Sequence, residues 1–164
     1  GGQLKKLEET YELIRKVRPI LAKKGTQTVR YEISDLFLNF WFRYLEGNRT
    51  LIEMNQFEVL EKVIASDYTT YSGKVLEKYF KQQFMESHEY RDMGSYWEAK
   101  KGKEQCEIDI VALRLEKNQA VAVEVKRQRK EFKPDFFAEK VQHLKDKVLP
   151  KYEIEPLCLS LEDM

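Results

Sequence analysis

Little in this sequence favours an extreme class of protein. Its 164 residues carry 29 Lys and Arg against 28 Asp and Glu, a net charge of +1. Bulk charge therefore argues for no nucleic-acid or membrane partner, and local patches must carry any such case. Cysteine is scarce. Cys106 and Cys158 both sit in apolar surroundings; two cysteines make no disulfide framework, and a reduced, cytoplasmic chain is the expectation. No apolar run approaches the roughly 20 residues a spanning helix needs, and no signal peptide is visible, so no membrane association is expected. His88 and His143 have no metal-ligand spacing to other residues and receive no role. There is no repeat, no low-complexity tract and no Gly-x-x-x-x-Gly-Lys-Ser/Thr loop, so no nucleotide site is expected in these residues. The chain opens Gly1-Gly2 without a methionine, and we read it as a fragment of something longer.

What is present is a patterned α/β (α+β) chain with generous aromatics, nine Phe and nine Tyr, which suggest aromatic-rich packing. Leu4, Leu7 and Tyr11 recur at helical spacing. The apolar-basic stretch Leu13 to Ile20 follows, then a polar stretch, Ala22 to Thr26, then Thr28 to Ile33 alternating like a strand. A helix followed by two strands around a loop is the second half of a winged helix. Ser34-Asp35 supplies an N-cap. The helix after it, Leu36 to Leu45, is apolar on nearly every face and is expected to be buried or to lie between domains. A second helix is expected over Leu51 to Ile64, with Ser66-Asp67 capping the next. From Tyr68 on, Tyr71, Val75, Leu76, Tyr79, Phe80 and Phe84 mark a long amphipathic helix. Strands follow at Tyr96 to Ala99, Cys106 to Leu115 and Ala120 to Lys126. Pro134 opens a helix with apolar positions Phe137, Val141, Leu144 and Val148, and Pro156 to Leu159 closes as a strand. Helix, three strands, helix, strand describes a sandwich around a mixed sheet. We expect a division into 1–66, a partial winged helix with a helical connector, and 67–164.

The chemistry concentrates on two of those strands. A tight turn at Lys117-Asn118 would set Glu116 opposite Gln119 and Val111 opposite Glu124. Residues two apart share a face, so Asp109, Glu124 and Lys126 would project from one side, with Val121, Val123 and Val125 on the other. Two adjacent carboxylates repel unless a cation lies between them, and hard oxygen ligands suit Mg²⁺ or Mn²⁺. Such an ion polarises a phosphodiester and acidifies water, while a lysine orients that water or neutralises charge on the phosphate. Glu77, on the helical row of Gly73, Phe80 and Phe84, borders the packed face and is a further carboxylate candidate. Lys140 borders an apolar face of the later helix and could reach a phosphate. Arg127, Arg129 and Lys130 follow Lys126 directly and form a basic patch suited to nucleic-acid phosphates. The plain alternative is a solvated strand face with alternating charge.

Glu107-Ile108-Asp109-Ile110-Val111-Ala112-Leu113, with Val123-Glu124-Val125-Lys126, resembles the PD-(D/E)XK nuclease superfamily. Ile108 stands where the proline of the superfamily's name would be. The resemblance implies a restriction-endonuclease-like mixed sheet flanked by helices. It implies Mg²⁺ or Mn²⁺ held by Asp109, Glu124 and the Val125 backbone carbonyl, with Lys126 and Glu77 completing the machinery, and DNA as substrate. More narrowly, the chain resembles the C-terminal region of archaeal-type AAA-like ATPases. Tyr31-Glu32-Ile33-Ser34-Asp35, the aromatic Phe37 to Phe42, Gly73 to Glu77, Gly94 to Trp97 and the Glu-Ile-Asp strand carry that likeness over nearly the whole chain. It implies an upstream ATPase domain in the same polypeptide. Nuclease folds that bind DNA or a protein without cutting leave a second reading, an inactive regulatory module. A third is a homo-oligomerisation domain using the Leu36 to Leu45 helix.

Overall fold

The computed structural model describes residues 2–23, 28–98 and 106–164, and these fall into two compact units. The first comprises residues up to Val17 and Val29–Ser72; the second comprises Arg18–Thr28 and Gly73–Met164. Ala99 and the polar loop from residue 24 to Thr26 lie outside the described residues.

In the first unit, helix α1 (Gly2–Glu9) precedes the antiparallel pair β1 (Ile14–Val17) and β2 (Arg30–Ile33). Arg15 stands directly opposite Glu32 and donates to it at 3.0 Å, a cross-strand ion pair on an exposed face. The Asp35 side chain caps α2 (Leu36–Phe40), accepting the Leu38 N–H at 2.8 Å.

The apolar segment after Asp35 departs from expectation. Only five residues are α-helical; Trp41–Leu45 widen into a π-turn, Glu46–Asn48 tighten into a 3₁₀ turn, and α3 covers Arg49–Glu53. The change of pitch rotates successive side chains off the faces a regular helix would give them. Tyr44 is buried against Phe40 and Tyr71, but Phe37 is 65% exposed and Trp41 and Phe42 are exposed as well. The stretch is therefore not a core helix in this unit.

The expected cap at Ser66-Asp67 is also overridden. Asn55, at φ 56, breaks the chain after α3, and α4 then runs unbroken over Phe57–Glu86. Asp67 is taken by the Arg43 guanidinium and by the Tyr44 hydroxyl at 2.8 Å, and Ser66 donates to the Val63 carbonyl. Neither side chain is left to compete for backbone N–H groups, so the helix continues.

The second unit is a mixed four-stranded sheet in the order β3 (Tyr90–Trp97), β4 (Glu107–Arg114), β5 (Gln119–Val125), β6 (Glu153–Leu159). The first two pairings are antiparallel and the last is parallel, with α5 (Pro134–Lys147) as the crossover between β5 and β6. Two apolar cores cover the two sides. Leu76 and Phe80 of α4 pack with Ile110, Val121, Val123 and Val125. Phe137 and Leu144 of α5 pack with Ile108, Val111, Leu113, Ala120 and Ala122. β5 is buried from Ala120 through Val125, as a central strand covered on both sides should be.

Strand β3 is eight residues long, twice the expected piece, and residues 18–22 line its outer side. The Ile20 N–H donates to the Ser95 carbonyl at 2.8 Å, and Ile20 enters the α5-side core. Gly94 permits this approach, since a Cβ there would meet the Ile20 Cβ at 3.3 Å. Trp97 is buried, while Cys106 and Cys158 are free thiols. Among the described residues no helix is long and apolar enough to cross a membrane.

Candidate metal and phosphodiester site

The β4–β5 register differs by two residues from the one a two-residue turn would impose. Val111 pairs with Ala122 and Leu113 with Ala120, because the connection is a four-residue loop, residues 115–118. Asn118 does adopt positive φ, at 61°, and its carbonyl accepts the Glu153 N–H. A slip of two preserves the face of every side chain, whereas a slip of one would not. Val121, Val123 and Val125 accordingly lie together in the α4-side core.

Alternation fails at Asp109. Between the pairs Gly94–Val111 and Tyr96–Ile108, two residues of β4, Asp109 and Ile110, oppose Ser95 alone. This is a β-bulge, which re-aims the side chains at its centre. It lets Ile108 and Val111, three apart, share the α5-side core while Ile110 enters the other. The expectation that alternation alone fixes the face of Asp109 is thus corrected. Its carboxylate accepts the Val125 N–H at 2.8 Å, tying the bulge to the next strand just past the last ladder pair, Ile110–Val123.

Burial pushes the Asp109 carboxyl up to about 6, and the neighbouring charges of Glu77 and then Glu124 push the same way. The Val125 hydrogen bond and the Lys74 ammonium oppose them. Glu77, on α4, is largely covered and accepts from Lys74 at 2.8 Å. Asp109 is therefore electrically flanked by a carboxylate from the helix and one from the neighbouring strand.

Glu124 is buried and heavily engaged. Its Oε1 accepts from Lys126 at 2.8 Å and from Lys140 at 3.2 Å, and its Oε2 accepts from Lys140 at 3.1 Å. Burial opposes charge on Lys126, but the Glu124 hydrogen bond and the fields of Glu124 and Asp109 override it and hold the ammonium above its usual value. Lys140, on α5, thus meets the same carboxylate as Lys126, and its Nζ also lies 5.1 Å from the Phe136 ring centre.

The basic run is less uniform than its sequence. Arg129 turns onto Asp163 and Glu162 and reaches the Cys158 carbonyl, so it clamps the C-terminal turn. Lys130 lies exposed in the 3₁₀ turn Arg129–Glu131, and Arg127 stands beside Lys126.

Sequence reasoning missed a second cluster. Glu98 Oε1 accepts from the Tyr96 hydroxyl at 2.6 Å, Lys147 at 2.7 Å and His143 Nε2 at 2.9 Å. Lys140, His143 and Lys147 stand at i, i+3 and i+7 on α5, which places them on one helical face. That spacing was the available signal.

The donors around Asp109 are hard oxygens, which suit Mg²⁺ or Mn²⁺. Burial is the first reason the Asp109 carboxyl is raised, and the charges of Glu77 and Glu124 add to it; a divalent cation at the carboxylate would offset both. Among the described residues no group of three or more His, Cys, Asp or Glu is arranged to hold a metal. An ion on Asp109 and Glu124 would therefore complete its shell with backbone, water or substrate oxygens, as Mg²⁺ commonly does.

Comparison with known proteins places the chain. It is 35% identical over 130 residues to the uncharacterised protein MJECL04 of Methanocaldococcus jannaschii, covering 75% of this chain. The aligned part is 28% of that relative's length. No solved structure matches the chain. Residues 41–140 match DUF234, described as archaeal and bacterial proteins of unknown function, and the chain belongs to that family.

Proposed function

We propose that the second unit is a divalent-metal-dependent DNA phosphodiesterase of the PD-(D/E)XK kind, acting as an endonuclease. The observation that carries this reading is Asp109, placed on a bulge between Glu77 and Glu124 and raised to about 6 by burial and by those two charges. Structural carboxylates are normally given partners that keep them ionised; one left against its own kind marks a place where a cation belongs.

In this reading Asp109 and Glu124 hold Mg²⁺ or Mn²⁺, with the Val125 carbonyl as a further oxygen. The ion neutralises phosphate charge and makes a bound water more acidic. Lys126, held as an ammonium, would position the attacking water by a hydrogen bond and stabilise the charge that builds on the phosphate, while the water's proton would pass to solvent and the departing oxygen would take one from solvent. Arg127 and Lys130 extend positive charge from the site toward the nucleic-acid backbone. Glu77 stays within electrostatic reach of Asp109 as a further carboxylate. The likeness to archaeal-type AAA-like ATPases suggests an effector domain driven by an ATPase in the same polypeptide. That this chain spans 28% of its relative's length leaves room for such a module.

A second reading, a nuclease fold that binds DNA or a protein and regulates that ATPase, draws on the two lysines already closing Glu124. Calorimetry separates the two. Saturable Mn²⁺ binding, abolished by Asp109→Ala with the fold retained, followed by metal-dependent cutting of plasmid DNA, is the expected result. Binding that Asp109→Ala leaves unchanged would reject the assignment.

A further inference from the structure

The two lysines on Glu124 are not equivalent. Lys126, one residue past the end of β5, contacts Oε1, and its side chain is 32% exposed. Lys140 bridges both oxygens from a different element and is 16% exposed, against a Glu124 side chain that is 10% exposed. Among the described residues the contact on Oε2 is Lys140. A cation that binds Glu124 through Oε2 would have to displace that ammonium, whereas Lys126 could remain on Oε1.

The displaced ammonium has somewhere to go. Lys140 lies one helical turn after Phe136, whose ring is exposed and already 5.1 Å from Nζ. A cation over an aromatic face keeps part of its electrostatic stabilisation, and the long lysine stem changes rotamer without moving α5. Leaving Oε2 therefore requires motion of one side chain.

We propose that Lys140 is a placeholder for the divalent cation: it neutralises Glu124 in the metal-free protein and yields Oε2, toward Phe136, when the ion binds. The inference rests on the metal-site reading and adds to it a residue that sets how readily the site loads. A lysine serving only as a packing clamp would, when removed, loosen the site and weaken metal binding. A placeholder gives the opposite sign.

The test is calorimetric titration of Mn²⁺ into the wild-type protein and into Lys140→Gln, Lys140→Arg and Lys74→Gln, with thermal melting in chelator to verify folding. Lys74 controls for loss of a nearby charge, since it pairs with Glu77 and not with Glu124. Lys140→Gln should bind Mn²⁺ about tenfold more tightly than wild type, a gain consistent with losing one competing charge at contact distance. Lys140→Arg should stay near wild type, and Lys74→Gln should gain at most about twofold. If Lys140→Gln does not fold, Lys140→Met, which keeps the apolar stem, takes its place. The wild-type protein supplies an independent measurement: saturating Mg²⁺ should move the Lys140 ammonium resonance. Wild-type binding with equal or weaker binding in Lys140→Gln, or an unmoved ammonium resonance, overturns the placeholder while leaving the metal site standing. No saturable binding in any form overturns both.

Discussion

Glu98, just past β3, and Asp109, on β4, belong to the same unit and meet opposite surroundings. Glu98 is also covered by protein, which alone would raise it, yet Lys147, Tyr96 and His143 donate to it and hold its carboxyl down at about 2. Asp109 rises to about 6, first because it is buried and then because Glu77 and Glu124 add negative charge, with one backbone N–H and the Lys74 ammonium opposing them. The difference separates structure from candidate function. A carboxylate wired to three donors fastens β3 to α5, whereas a carboxylate left among its own kind is kept for something the fold alone does not provide.

The sharpest way to break that contrast is to remove the satisfied charge. Glu98→Gln should cost about 2 kcal/mol at pH 7, because the Tyr96 hydroxyl and the Lys147 ammonium lose their ionic acceptor. Glu98's folded value lies below its usual 4.5, so its contribution is present above pH 4.5 and disappears as pH falls through about 2. Urea unfolding at pH 7 and pH 3 compares the full contribution with a partly lost one. A penalty that is absent at pH 7, or larger at pH 3, would contradict the structural role.

Asp109 carries the opposite sign. Its folded value lies above its usual 3.8. The stability that its protonated form contributes is therefore full below pH 3.8 and lost as pH rises through about 6. Asp109→Asn should raise stability by about 1 kcal/mol at pH 8 in chelator, a figure discounted for partial exposure, and should change little at pH 3.5. A variant less stable than wild type at pH 8 would mean that the carboxylate is a satisfied structural group after all.

How much of this was legible follows from which signals depend on distant geometry. The order of elements in the second unit came from alternation and helical spacing, both local. Glu124 and Lys126 meet whatever the register, because they are two apart along extended chain at the end of β5. Asp109 was found by residue type, but its setting was not legible, since the bulge belongs to the pairing of β4 with β3, a strand more than ten residues earlier. The aromatic segment misled because helical periodicity cannot announce a π-turn and an apolar residue type does not by itself fix burial; Phe42 in that turn and Phe37 before it are both exposed. Asp67 looked like a cap until Arg43 and Tyr44, more than 20 residues earlier, claimed it. Glu98 was silent because two of its three partners, His143 and Lys147, lie on a helix 45 or more residues away.

The smallest effect tests whether Glu77 belongs with the site or only borders it. Asp109 feels Glu77 more strongly than Glu124, although Glu77 lies on α4 and Glu124 on the adjacent strand. Glu77→Gln should therefore lower the titration midpoint of the Asp109 carboxyl, followed by carbon NMR, by more than Glu124→Gln does. Lys74→Gln should move it upward, since the Lys74 ammonium opposes the shift. The charges are close, yet partial exposure screens them, so the displacements should be modest and should shrink with added salt. An Asp109 midpoint that ignores Glu77→Gln but follows Glu124→Gln would confine the site to the sheet and remove Glu77 from it.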